Sequence, residues 1–409
     1  MIHFLSTLLV LLAFQAATTP VSHLRYQRAV MAAHAGYSCA VLAPSLFAHA
    51  APTLADLRLY TTAGTHAIPF ALLVNGPLTD ETEPARILNL RQTGRALSFD
   101  LAMPARPFTD VILALARPDL LARATVTSAG TSLGDFTLFD LTAQHLPADT
   151  TLHLQETATP LLHVDLVPLP GSPVITPAML TGATVPPSRE AQTLFTTAFS
   201  TSALTQTGHA TVAHFTVPAH IPIERVRFVL APGKQPNVSR PVHITSHPLS
   251  QPASSGEVMD GTLGHLRLSR TGAALSLDHL TVPATIGANL QQPADVEVAI
   301  DNGTSPPLLI AAIVLESRQR QLCFNAPAAA ALTLFYGDPK LEPTQASPHL
   351  DLASATVATL GPEQSNPLYT PRADTRSLTR RHPRFFSLGG ILLVCLAAVI
   401  ALRTKKFRL

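Results

Sequence analysis

Any chemistry in this chain has to come from its 17 histidines and a few acidic turns. A metal site needs neutral imidazoles converging on one point, from neighbouring strand positions or from one helical turn. His153 and His163 fall in consecutive expected strands and would meet across a hairpin. His209, His214 and His220 are spaced five and six residues apart, and neither HxH nor HExxH occurs. The histidines are therefore expected to be partly exposed strand residues. Asp301-Asn302-Gly303-Thr304 offers oxygen ligands on a tight turn, so Asp301 and Asn302 are candidate calcium ligands. The same four residues suit a hairpin turn, with Asn-Gly supplying the positive φ values, and the turn is the expectation. Asp135 and Asp140 bracket an expected strand and read as solvated loop carboxylates rather than a paired acid and base. No GxSxG elbow is present. With no Trp and five Tyr, stacking platforms for sugars are scarce, and Tyr37, Tyr60 and Tyr336 are expected in the core or at strand edges. No catalytic or cofactor-binding residue is assigned, and a non-enzymatic role is expected.

The elements that would position these residues are strands. Thirty-six prolines interrupt nearly every apolar run, which long helices do not tolerate and short strands with frequent turns do. Leu54 to Tyr60 alternates as a half-buried strand should, and His66 to Val74 returns after a Gly-containing turn. Further strands are expected to about Val167, followed by a Pro/Thr/Gly-rich stretch from Gly171 to Pro187 that reads as a linker. A second set runs from about Thr211 to Tyr336. The expected class is all-β: two tandem antiparallel β-sandwich modules, 22–170 and 196–342, joined by a linker over 171–195. Residues 343–384, rich in Pro, Ser, Thr and Arg, read as a stalk. Cys395 lies in the apolar C-terminal run; Cys39 and Cys323 pair only if two distant segments meet, and isolated buried thiols are the expectation.

Both ends point to a membrane. Phe385 to Leu402 is an apolar run long enough, at about 1.5 Å per residue, to cross the hydrocarbon of a bilayer as a helix. Arg403, Lys405 and Lys406 lie in a basic tail over 403–409 that reads as cytoplasmic. Basic residues also precede the span (Arg376, Arg380, Arg381 and Arg384), so orientation falls to the N-terminus. Residues 1–17 carry an apolar core, Phe4 to Phe14, that suits a signal peptide, although its n-region holds only His3. The body is then exported, on the periplasmic or cell-surface side. A net charge of +2 with 13% charged residues gives no electrostatic footprint for nucleic acid.

The two strand sets look like a degenerate repeat. Ser98 to Leu101 followed by Val111 to Leu115 resembles His214 to Val217 followed by Val226 to Leu230. Thr151 to Leu154 followed by Leu161 to Leu166 resembles Val296 to Ile300 followed by Leu308 to Ile313. Other stretches carry a family resemblance: Tyr26-Gln27-Arg28-Ala29-Val30; Leu54-Ala55-Asp56-Leu57-Arg58-Leu59-Tyr60 with Gly64 and Ile68-Pro69-Phe70; Leu334-Phe335-Tyr336-Gly337-Asp338; and Pro348-His349-Leu350-Asp351-Leu352. In that order they resemble the bacterial domain-of-unknown-function family numbered 3999, exported proteins with a C-terminal membrane anchor. That family has no assigned activity, so it implies location and no catalytic residues. Each module's strand order is also similar to galactose-binding-like jelly rolls, a likeness of fold alone.

The expected function is that of a membrane-anchored envelope protein whose exported modules bind a protein partner or an envelope polymer. The alternative is a carbohydrate-binding or glycan-processing ectodomain. The expected partners are the membrane and another envelope membrane protein or a glycan, with no nucleic acid. No cofactor is expected, calcium at Asp301 and Asn302 being the one candidate.

Overall fold

The computed structural model describes residues 21–372 apart from 62–65, 76–81, 117–118, 190–192, 251–255, 271, 328–330 and 344–354. The expected signal, the span Phe385 to Leu402 and the basic tail lie outside the described residues. Among the described residues no helix is long and apolar enough to cross a membrane.

The described chain is all-β, and its helical pieces are 3-10 turns of three to five residues. The strands form where side chains alternate between a buried and an exposed face, as along Ala96–Ala102 and Ala294–Asp301. The sheets pack in sandwich- and barrel-like arrangements in which fully buried Leu, Val and Phe line the inner faces. Each such side chain contributes about 1.5–3 kcal/mol by leaving water.

Three groups of strands emerge from the pairing. The first is a nine-stranded sheet built from both ends of the described chain. Its order is Ala67–Ile68, Arg58–Thr61, Ala331–Tyr336, Tyr26–Ala32, Thr356–Leu360, Gly36–Val41, Arg320–Ala326 and Phe70–Val74, with Gln364–Ser365 also pairing to Tyr26–Ala32. The second runs from Glu83–Thr93 to Leu180–Val185 and forms another nine-stranded sheet. Glu83–Thr93 pairs with Ala96–Ala102 and with Leu180–Val185, and its register shifts between Leu88 and Arg91, where Asn89 takes φ +51°. A bulge of this kind bends one strand across two layers. The third group, Phe195–Thr201 to Ile310–Arg318, makes a four-stranded and a six-stranded sheet.

This pairing divides the chain differently from the expected modules 22–170 and 196–342. Residues 26–74 pair with 320–365, so the first and third groups share one continuous core. The middle group has its own core and meets the third through Leu121, Phe139, Leu141, Leu266 and Leu275. Part of the expected stalk belongs to the first sheet. Thr356–Leu360 lies antiparallel to Tyr26–Ala32 and parallel to Gly36–Val41. Asn366 is buried and donates to the carbonyls of Val21 and Leu24, and Arg372 pairs with Asp338. The strand is only five residues long, Thr-Val-Ala-Thr-Leu, and does not stand out within a Pro/Ser/Thr-rich stretch.

Cys39 and Cys323 are joined by a disulfide, not left as isolated thiols. They sit directly opposite each other on Gly36–Val41 and Arg320–Ala326, which the split sheet brings together. The expected repeat fares differently at its two ends. In the middle group the earlier closing strand, Thr151–Thr157, pairs with Phe108–Leu115, and the later, Leu161–Pro168, with Ala96–Ala102. In the third group the order is reversed: Ala294–Asp301 pairs with Ala210–Val217, and Ile310–Arg318 with Arg225–Leu230. Matching sequence order therefore does not give matching pairing.

Candidate functional site

Five histidines, His153, His163, His214, His243 and His265, each face an acid directly opposite on a neighbouring strand. His153 and His163 do not share a hairpin, since their strands pair with others. His153 sits opposite Asp110 with Nδ1 2.7 Å from Oδ1, and His163 opposite Asp100 at 2.6 Å. His243 faces Asp260 at 2.6 Å and His265 faces Asp278 at 2.7 Å. His214 lies opposite Glu297 at 3.7 Å. Hydrogen bonds donated to Asp110 and Asp149 push the His153 imidazole up to about 9. Burial would raise the Asp110 carboxyl, but His153, Thr109 and Arg189 outweigh it and hold it below the usual carboxylate range. The cross-strand partners lie 13 or more residues away, so no local spacing announces them; the Asp149 contact of His153, four residues away, is local. Among the described residues no group of three or more His, Cys, Asp or Glu is placed to hold a metal ion.

Asp301 and Asn302 close a turn. Asp301 Oδ1 accepts the Gly303 N–H at 2.8 Å, and Gly303 takes φ +55°. Asn302 is buried, its Nδ2 donating to Thr211 Oγ1 at 2.9 Å and its N–H to the His209 carbonyl. Asp135 and Asp140 both lie on the Thr131–Asp140 strand, where each accepts a threonine hydroxyl, Asp135 from Thr125 and Asp140 from Thr142. Tyr60 and Tyr336 are buried and Tyr37 is half-buried.

An apolar groove of about 400 Å³ lies where the first and third groups meet. Leu72, Leu73 and Val74 line it from Phe70–Val74, the terminal strand of the split sheet. Ile221, Ile223 and Ile286 face them from two loops of the third group. Phe47 and Leu54 form a further wall. Cavities of this volume with apolar walls and few polar groups are where small or extended ligands bind. Two residues on its rim, Leu54 at φ +58° and His220 at φ +68°, hold left-handed backbone that non-glycine residues seldom adopt. Such strain clusters at binding sites because the surrounding packing must enforce it. His220 Nδ1 is buried and has no hydrogen-bond partner among the described residues.

The polar end of the groove holds Glu224 and Arg320. Glu224 accepts the Arg318 N–H at 2.7 Å and hydrogen bonds from the Arg318 and Arg320 guanidiniums at 2.9 and 3.1 Å. Burial would raise its carboxyl, but the Arg318 N–H and the Arg320 charge outweigh that and hold it below the usual range. Among the described residues Arg320 donates through Nη1, to Glu224 and the Arg318 carbonyl, and its guanidinium lies over the Phe47 ring, 5.4 Å from the centroid.

Sequence reasoning missed this groove. The apolar run Phe70-Ala71-Leu72-Leu73-Val74 was visible as a strand, but nothing in it says that one edge lacks a neighbour. Ile221 and Ile223 flank Pro222, which reads as an interrupted run rather than a wall.

No family model matches the chain, and no curated protein matches it. Among solved structures it is similar to the infectious bursal disease virus VP2 subviral particle, at 10% identity over 78% of this chain and 82% of that one, with a TM-score of 0.16. It is also similar to the infectious bursal disease virus Gx strain structure, at 10% identity over 91% of this chain and 92% of that one, with a TM-score of 0.14. At these TM-scores the likenesses carry no argument about fold or function.

Proposed function

We propose that this chain is an exported, single-pass membrane protein of the kind its family resemblance implies, and that its β-modules, of jelly-roll type, bind a protein partner without catalysing a reaction. The apolar run Phe385 to Leu402 serves as the anchor in this reading, with Arg403, Lys405 and Lys406 on the cytoplasmic side. The observation that carries the binding role is the apolar groove beside the terminal strand Phe70–Val74. Its walls are Ile, Leu, Val and Phe, with no tyrosine among its lining residues, which suits an apolar peptide surface better than a sugar. The disulfide between Cys39 and Cys323 is in keeping with an oxidising compartment.

A photo-reactive amino acid at Leu72, introduced into the full chain in native membranes, tests this. A single recurrent protein adduct, lost on competition with unlabelled chain, is the expected result. Saturable binding on a glycan array together with no protein adduct would overturn it in favour of the glycan reading.

A further inference from the structure

Natural sheets guard their edges, because an uncovered strand presents a row of unpaired N–H and C=O groups. The two terminal strands of the split sheet, Ala67–Ile68 and Phe70–Val74, are consecutive in the chain and joined through Pro69, and they leave edges of different length. At one side its last strand is only Ala67–Ile68, two residues stopped by Pro69. At the other side it ends in Phe70–Val74, five residues with neither charge nor proline. That strand pairs with Arg320–Ala326 and, among the described residues, with nothing else. In an antiparallel pair alternate residues turn their backbone groups away from the partner, so about two or three residues of Phe70–Val74 offer both a donor and an acceptor outward.

The groove follows this edge. Leu72 and Val74 share one face of the strand, and Leu73 points to the other, yet all three line the groove. Both Leu72 and Val74 remain more than a third exposed. A ligand in the groove would therefore lie along the strand's rim, where main-chain pairing and apolar contact are available together. That combination selects an extended peptide over a rounded small molecule.

Charge adds a second requirement. Arg320 lies opposite Val74 on the next strand and lines the groove. Its hydrogen bonds use Nη1, and its Nε and Nη2 donate none among the described residues. The free Nε and Nη2 form the edge of a guanidinium that matches a carboxylate two-pronged. An added strand would lie about 10 Å from Arg320–Ala326, two strand spacings, which an arginine and a glutamate side chain span between them.

We infer that the groove takes an extended apolar peptide as an added strand on Phe70–Val74, with a carboxylate of that peptide paired to Arg320. This rests on the protein-binding reading and names the partner's form. The test is a displayed library of random heptapeptides, selected on the full chain in nanodiscs and counter-selected on its V74K variant, with V74T as the control that keeps strand character. The expected binders alternate β-branched residues and carry Asp or Glu. Replacing that acid by its amide should weaken binding about tenfold. Hydrogen exchange at the amides of 70–74 should slow on binding. Three results would each overturn the inference: no binder that distinguishes wild type from V74K, binders without an acid preference, or binding with no slowing at 70–74. A protein adduct at Leu72 that survives V74K would remove this inference and leave the binding role standing.

Discussion

Asp56 and Gly337 are 281 positions apart, yet Asp56 Oδ2 accepts the Gly337 N–H at 2.7 Å. The same oxygen accepts the Asp338 N–H at 3.1 Å, and Oδ1 accepts the Ala51 N–H at 2.9 Å. Gly337 takes φ +99°, and a Cβ there would come within 2.8 Å of the Tyr26 ring. Asp56 is fully buried, so this one carboxylate fastens the two halves of the split sheet. Tyr26 to Val30, Leu54 to Tyr60 and Leu334 to Asp338 thus belong to one structural unit.

Asp56→Asn is expected to lower stability by about 2 kcal/mol. An amide can accept with its oxygen but presents N–H to the donors on its other side, leaving buried groups unpaired. A urea titration followed by tyrosine fluorescence reads this as an earlier midpoint. An unchanged midpoint would mean that the two halves are held by strand pairing alone.

Tyr336→Phe tests the neighbouring polar cluster. The Tyr336 hydroxyl accepts from Arg28 Nε at 2.9 Å and donates to Glu363 Oε2 at 2.6 Å. Burial and the Glu363 carboxylate push its phenol well above the usual range, so it stays a neutral donor. Without the hydroxyl, the buried Arg28 Nε loses its acceptor, at a cost of about 1–3 kcal/mol. Thermal melting of the variant should fall.

Stability should carry a signature of the His153 pair. Its folded value, about 9, lies above the ordinary 6.5, so its contribution is fully present below about 6.5 and is lost as pH rises towards 9. The Asp110 and Asp149 carboxyls are held low, so their contribution is present above about 4 and lost in stronger acid. The gap in stability between wild type and His153→Gln should therefore be widest between about pH 4 and 6.5 and close by pH 9. His153 is half exposed, so solvent screening keeps the gap to about 1 kcal/mol or less. Chemical denaturation at a series of pH values checks it, and a gap that grows from pH 6.5 to 9 would refute the pairing.

Reducing the disulfide between Cys39 and Cys323 should destabilise the first sheet. The bond closes a loop with a sequence separation of 284. Cross-links over long loops contribute roughly 2–5 kcal/mol by restricting the unfolded chain. Melting with and without reductant, compared with a chain carrying Ser at both positions, separates loss of the bond from other effects of reductant.

Calcium is expected to leave melting unchanged. Asp301 Oδ1 is already used by the Gly303 N–H, and Asn302 is buried against Thr211. A rise in melting temperature with millimolar calcium, abolished by Asp301→Ala, would instead assign these oxygens to the ion.

The sequence by itself determined that the body is all-β. Alternating side chains along Ala96–Ala102 and Thr211 to Val217, and proline at the ends of apolar runs, leave few other ways to bury apolar surface. It marked a turn at Asp301-Asn302-Gly303 but not its form: the expected hairpin is absent, since Ala294–Asp301 and Ile310–Arg318 lie in different sheets, and of Asn302 and Gly303 only Gly303 takes a positive φ. Tertiary structure alone decided which strands are neighbours. Residues 26–74 and 320–365 carry no mark of their pairing, and neither do Cys39 and Cys323, or His153 and Asp110. Strand pairing joins residues by main-chain hydrogen bonds that every sequence can make, so partner choice depends on how whole sheets bury their faces. The groove follows from the same cause: Leu72 and Val74 look like ordinary core residues until the sheet ends beside them.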